Sequence, residues 1–168
     1  IKKVLITDKV HPLLLSEFQS HGWEVDYDTS VDNLRLDQII EQYGGLVINS
    51  KIIMNKPRID KGTNLKFIGR LGSGLEIIDV KYAIRKGIKV YNSPEGNRNA
   101  VGEHAMGMLL SLFNNLNRAD RQIRAGEWIR EKNRGHELEG KTVGIIGYGN
   151  MGSAFAEKLK GFNCKILA

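Results

Sequence analysis

Short apolar, β-branched runs alternate along this chain with stretches whose apolar residues recur every three or four positions. Lys3 to Thr7 is the first such run and reads as a strand. His11 to Gln19 carries Leu14, Leu15 and Phe18 at helical spacing, and Gly22 ends it. Trp23 to Tyr27 alternates and predicts a second strand. Asn33 to Tyr43 sets Leu36, Ile39, Ile40 and Tyr43 on one helical face, closed by Gly44 and Gly45. Leu46 to Ile48 is a third strand, Lys66 to Ile68 a fourth, Asp79 to Lys86 a short helix, and Lys89 to Tyr91 a fifth strand. Strands alternating with helices predict a parallel sheet covered on both faces. The expected fold class is therefore α/β, with a flavodoxin-like doubly wound domain over residues 1–98 and ligands at the carboxyl ends of its strands.

A second region, residues 99–168, begins with Asn99 as the expected N-cap of a long helix. Val101, Ala105, Met108, Leu109, Leu112, Phe113 and Leu116 recur at helical spacing, and the pattern continues through Ala119 and Ile123 to Gly126. Such a helix would be about 40 Å long at 1.5 Å per residue, enough to link two domains or to serve as an ordinary core helix. Residues 130–141, rich in charge and glycine, read as a surface loop. Val143 to Ile146 is then a buried strand, Gly147, Gly149 and Gly152 a turn, and the following stretch a helix to about Lys160, with a further strand from Cys164. This is the strand, glycine turn and helix of a dinucleotide site, and it predicts the beginning of a Rossmann nucleotide-binding domain. Gly147 would make the tight exit from the strand, Gly149 would let backbone approach a pyrophosphate, and Gly152 would let the helix pack closely. Amides and the positive dipole end at the helix start would face the phosphates, with Asn150 and Met151 contributing mainly backbone. A glycine turn of some other α/β protein is the alternative. An acidic residue about 20 positions further on completes such a site. That position falls after Ala168, and the first residue is Ile1, so the chain is expected to be part of a longer protein.

Composition narrows this only a little. The 168 residues are 41% hydrophobic and 26% charged, as in a globular protein. No apolar run reaches transmembrane length, and the N-terminal stretch is too short for a signal peptide. One cysteine, Cys164, makes no internal disulfide and suits a reducing, cytoplasmic location. The net charge of +6 is spread rather than clustered, which argues against nucleic acid and membrane partners. A positive field would also attract an anionic substrate and cofactor. His104 and His136 are the tempting general bases, yet neither has a carboxylate to orient it within its own motif.

Several segments resemble one family. Gly72-Ser73-Gly74, Ile77-Ile78-Asp79, Gly87 to Asn92, Asn99 to His104, Trp128 and the Gly140 to Gly152 fingerprint occur in the order found in the D-isomer-specific 2-hydroxyacid dehydrogenases. The branch that oxidises D-3-phosphoglycerate is the nearest in look. The resemblance implies a split substrate domain, an inserted NAD-binding domain, a cleft between them, and a homodimer acting on a small 2-hydroxy or 2-keto acid. It implies that the loop of Gly72, Ser73 and Gly74 holds the substrate carboxylate through its amides; a plain strand-end turn is the alternative. Asn49, Ser50 and Lys51 would stand at the other edge of the cleft. Asn49 replaces an arginine often found there in the phosphoglycerate branch, while Lys51 could supply a point charge or be a surface lysine. Asn97 and Val101 would lie beside the nicotinamide end of NAD, or be a turn asparagine and a core valine. The family's polarising arginine and its glutamate–histidine pair fall after Ala168, so no catalytic residue is assigned and the 168 residues alone are expected to be inactive. A glyoxylate, hydroxypyruvate or other 2-ketoacid reductase, and a dinucleotide-sensing corepressor on the same scaffold, are the competing readings.

Overall fold

The apolar runs become strands in the computed structural model, which describes residues 1–168. Two units divide the chain, Ile1–Pro94 and Glu95–Ala168. In the first, β1 (Lys3–Ile6), β2 (Glu24–Tyr27), β3 (Gly45–Ile48), β4 (Phe67–Arg70) and β5 (Lys89–Tyr91) form one sheet in the order β2-β1-β3-β4-β5, every pair parallel. That is the doubly wound, flavodoxin-like order expected from the sequence. The helices between the strands are α1 (Pro12–Ser20), α2 (Asn33–Ile39), α3 (Lys56–Lys61) and α4 (Val80–Arg85).

The period of two along each strand sends side chains to two cores. Leu5, Leu46, Ile48 and Ile68 point to one face and pack with Leu36 of α2, Ile59 of α3 and Ala83 of α4. Val4, Ile6 and Val47 point to the other, where Leu14, Leu15 and Phe18 of α1 join Trp23 and Phe67. Each fully buried Leu or Ile there stabilises the fold by about 1.5–3 kcal/mol relative to exposure.

Side chains cap all four of these helices. His11 Nδ1 accepts from Leu13 N at 3.2 Å, Asp32 from Arg35 N at 2.8 Å, Asn55 from Arg58 N at 3.2 Å, and Asp79 from Tyr82 N at 3.1 Å. The sequence reading missed α3. Its signals were Asn55 as cap, Pro57 in the first turn and Gly62 just past the end, but six residues are too few to show a period. Arg58 of α3, its side chain 10% exposed, is pinned by Asp37 (Nε to Oδ1, 2.5 Å), Asn33 Oδ1 (2.5 Å) and the Ile53 carbonyl, and Lys61 adds a second bond to Asp37 at 3.0 Å.

On the β2 side, buried Tyr43 donates to Asp26 Oδ2 at 2.7 Å. Burial first, and then this bond, pushes the Tyr43 hydroxyl up to about 12. A folded-state value above the ordinary 10.0 means stability is full below pH 10 and is lost as pH rises from there through about 12. Tyrosinate absorbance is expected to show a step near pH 12 that accompanies unfolding, and Tyr43→Phe is expected to remove it.

The second unit holds α5 (Arg98–Phe113), α6 (Leu116–Arg124), β6 (Thr142–Gly144), α7 (Asn150–Leu159) and β7 (Lys165–Leu167). β6 and β7 pair in parallel. Met106, Leu138 and Leu159 centre a core shared by α5, α7 and both strands. At the α5–α7 crossing Gly102 meets Ala154 so closely that a Cβ on Gly102 would lie 3.1 Å from the Ala154 carbonyl carbon.

Three expectations need correction here. The single helix to Gly126 is two helices, broken at Asn114 and Asn115. Asn115 adopts the left-handed conformation (φ 54°), Asn114 Nδ2 donates back to Leu110 O at 3.1 Å, and Asn115 Nδ2 reaches Arg134 O at 3.1 Å. Asparagine tolerates that conformation and its amide satisfies carbonyls that the helix end leaves free, so apolar spacing carried on past a real stop. Asn99 is not the cap; Asn97 is, without a side-chain bond, and Asn99 lies in the first turn. The strand expected to end at Ile146 stops at Gly144. Ile145 N donates a last bond to Leu167 O at 2.7 Å, and Ile146 is fully exposed where the chain leaves β6. No helix is long and apolar enough to cross a membrane.

Candidate functional site

Two groups of sequence-predicted residues are drawn together, one in each unit. In the second unit, the turn between β6 and α7 is built from the three glycines. Gly147 sits at φ +93°, a conformation that side chains rarely adopt. Gly152, in the first turn of α7, packs so tightly that a Cβ would overlap the Gly147 carbonyl oxygen. A Cβ on Gly149 would meet nothing within 4 Å, so the space over the turn is open. Gly149 caps α7 without any side-chain bond, which leaves the amides of Asn150, Met151 and Gly152 without a side chain to answer them. Ser153 N turns back to Gly149 O at 3.0 Å and fixes the first turn. Bare amides at the start of a ten-residue helix, with glycine where a phosphate would approach, fit a pyrophosphate.

Asn97 and Val101 lie in the same unit, on the first turns of α5, and Val101 N donates to Asn97 O at 3.0 Å. Val101 is 38% exposed and belongs to none of the buried cores. His104 and His136 are both exposed, and no group of three or more His, Cys, Asp or Glu side chains is placed to hold a metal ion.

In the first unit, β3 and β4 run side by side with Ile48 opposite Arg70. The segments Asn49-Ser50-Lys51 and Gly72-Ser73-Gly74 therefore leave neighbouring strands at the same end of the sheet. Asp8, just after β1, ties the first segment down: its Oδ2 accepts from Asn49 N at 3.0 Å and from Thr7 Oγ1 at 2.8 Å. Lys51 is held away from β4. Its Nζ donates to Thr29 O at 2.6 Å, and Thr29 follows β2, on the far side of β1.

In the glycine loop the Gly72 and Ser73 carbonyls are occupied and Gly72 N donates to Arg70 O at 2.9 Å. Ser93 N donates to Gly72 O at 3.0 Å, and Asn92 Nδ2 to Ser73 O at 2.6 Å. The amides of Ser73 and Gly74 have no protein acceptor. Gly72, at φ +146°, also leaves room for Arg70, because a Cβ there would overlap the guanidinium.

Arg70 is the residue that sequence reasoning missed. Its side chain is 14% exposed and its Nε is buried without a hydrogen-bond partner. Nη1 lies 3.4 Å from Leu71 O, and Nη2 lies 4.0 Å from Glu76 Oε1. A buried cation with so little to hold it is costly unless an anion joins it. The available signal was an arginine closing the otherwise apolar strand Phe67-Ile68-Gly69.

Residues 4–163 match the model of the D-isomer specific 2-hydroxyacid dehydrogenase catalytic domain. The chain belongs to that family. Among members of this 2-hydroxyacid dehydrogenase family, it is 34% identical over 166 residues to D-3-phosphoglycerate dehydrogenase of Archaeoglobus fulgidus, covering 99% of this chain and 32% of that protein. It is 41% identical over 133 residues to hydroxypyruvate reductase of Thermotoga maritima, covering 79% of this chain and 44% of that protein. The NAD-dependent formate dehydrogenase of Staphylococcus aureus, solved in complex with NAD, superposes with a TM-score of 0.80 at 28% identity, over 99% of this chain and 55% of that one. The chain thus spans less than half the length of either curated relative.

Proposed function

We propose that the protein containing these units is an NAD-dependent oxidoreductase that oxidises D-3-phosphoglycerate to 3-phosphohydroxypyruvate, the reaction that opens serine biosynthesis. The observation that carries this reading is the pairing, at one strand end, of two anion-accepting features: the free Ser73 and Gly74 amides and the underbonded Arg70 guanidinium. A substrate with a carboxylate and a phosphate satisfies both. The amides suit the carboxylate, and the guanidinium fork suits phosphate.

The turn of Gly147, Gly149, Asn150, Met151 and Gly152 would hold the pyrophosphate of NAD through its amides, with Asn97 and Val101 beside the nicotinamide. When bound, NAD supplies the two-electron acceptor for the alcohol carbon. The residues of this chain bind and orient. No proton-transfer residue is assigned among them, and the 168 residues alone are expected to turn over no 2-hydroxy acid. The same reading takes the whole enzyme to be a cytoplasmic homodimer.

A second reading, reduction of hydroxypyruvate or glyoxylate, draws on the 41% identity to the Thermotoga maritima reductase. It also draws on Asn49 standing where the phosphoglycerate branch often has arginine, with Lys51 turned toward Thr29. A substrate panel on the full-length protein, followed by NADH absorbance, separates the two. The expected result is a kcat/KM for D-3-phosphoglycerate well above that for D-glycerate. Arg70→Leu is expected to reduce the former about 10- to 100-fold, the range for losing a charge-assisted hydrogen bond. Preference for unphosphorylated acids, untouched by Arg70→Leu, would establish the second reading; absence of any NAD-linked turnover would sink both.

A further inference from the structure

Glu76 is the one acidic side chain in the loop from Leu71 to Ile78. Its carboxylate is exposed yet turned inward. It folds back over the loop, so close to Gly74 that a Cβ on that residue would overlap Oε2. The other oxygen, Oε1, lies 4.0 Å from Arg70 Nη2. The carboxylate therefore rests where the two anion-accepting features of the loop converge, beside the backbone of Gly74 and the edge of the guanidinium. Its hold there is loose. At 4.0 Å the contact is an ion pair without a hydrogen bond, and the Glu76 side chain is 70% exposed, so water screens it.

Resting on the substrate reading above, we infer that Glu76 is a resident competitor for the anion seat formed by Arg70 and Gly74, and that it sets which acids can enter. An incoming phosphate carries nearly two negative charges and three acceptor oxygens, so it displaces a single loosely held carboxylate from the guanidinium. An unphosphorylated acid has spent its one carboxylate on the amides and has nothing with which to displace Glu76. The side chain then remains beside Arg70, where it repels a second anion and keeps the guanidinium neutralised. Gly74 is glycine, on this account, because the parked carboxylate needs the space a Cβ would fill.

The test is calorimetric titration of inorganic phosphate into the full-length protein, in the wild type, Glu76→Gln, Arg70→Leu and the double variant. Glutamine keeps the shape and removes the charge. Glu76→Gln is expected to tighten phosphate binding about three- to fivefold, the scale of an exposed ion pair. The same change in the Arg70→Leu background is expected to have no effect, because the contested partner is gone. Loosened structure would weaken binding in both backgrounds, so a gain that needs Arg70 is not produced by a merely structural role. Unchanged or weaker phosphate binding in Glu76→Gln, or an equal gain in both backgrounds, would overturn the inference. Phosphate binding needs no turnover, so this result stands apart from the substrate panel. If the panel shows no phosphorylated substrate while Glu76→Gln still tightens phosphate, the substrate reading fails and the competitor role survives.

Discussion

Replacing Arg58 with alanine is expected to lower the unfolding free energy by about 3–5 kcal/mol, the range for breaking a buried pair by removing one partner. The guanidinium ties α3, and the Ile53 carbonyl just ahead of it, to Asn33 and Asp37 of the distant α2. Truncation leaves Asp37 with Lys61 alone, takes from Asn33 Oδ1 one of its two donors, the other being Ile53 N, and removes a buried side chain next to the core residue Ile59. Arg58→Met, which refills the volume, is expected to recover part of the loss. The same network has an acid signature. The bond from Arg58 outweighs burial, with Lys61 assisting, and holds the Asp37 carboxyl below its ordinary 3.8. Stability from a depressed carboxylate is present above that ordinary value and is lost as pH falls through the lower folded-state value. Urea unfolding of the wild type at pH 7 and near pH 3 is expected to show this loss. Arg58→Ala is expected to flatten it.

The second large effect is on cofactor binding. Gly152→Val is expected to weaken NADH binding to the full-length protein by about 100-fold, measured by NADH fluorescence titration. Any Cβ at position 152 overlaps the Gly147 carbonyl, which is backbone and cannot swing aside. The start of α7 must then move off the turn, and the amides that face the open space over Gly149 lose their aim. Two charge-assisted hydrogen bonds weakened at once account for a change of that size. Gly161→Ala is the control. Its Cβ would meet nothing within 4 Å, so binding is expected to stay at the wild-type level. If Gly152→Val bound NADH normally, the glycine turn would not be the phosphate seat.

Much of this was legible in the sequence, and the reasons are physical. Central strands such as Lys3–Ile6 and Gly45–Ile48 are buried on both faces, so their apolar runs are unbroken and easy to see. The glycine turn was legible because each glycine answers a separate demand: φ at Gly147, openness at Gly149, contact at Gly152. The break at Asn114 and Asn115 was hidden, since Leu116 keeps helical spacing with Leu112 across it, and only the paired asparagines marked the stop. The α5 face was misread in a related way. Met108, Leu112 and Leu116 looked like one core stripe with Leu109 and Phe113, yet the first three are exposed and the last two pack inward. Arg70 was missed because a charge at a strand end usually means solvent, and only three dimensions show the guanidinium laid over Gly72. Lys51, which the sequence offered either as a point charge at the cleft edge or as a surface lysine, donates to the Thr29 carbonyl, a partner distant in sequence that no local pattern announces.

The position of β1 governs how the first unit can assemble. It lies inside the sheet, bonded on one edge to β2 and on the other to β3, although it precedes both in the chain. None of its neighbours is supplied by a hairpin, since each parallel partner arrives only after a helix has crossed over. During synthesis both backbone edges of Val4, Leu5 and Ile6 therefore wait, unpaired and apolar, until residues 24–48 have left the ribosome. Such strands fold slowly and invite association with other nascent chains.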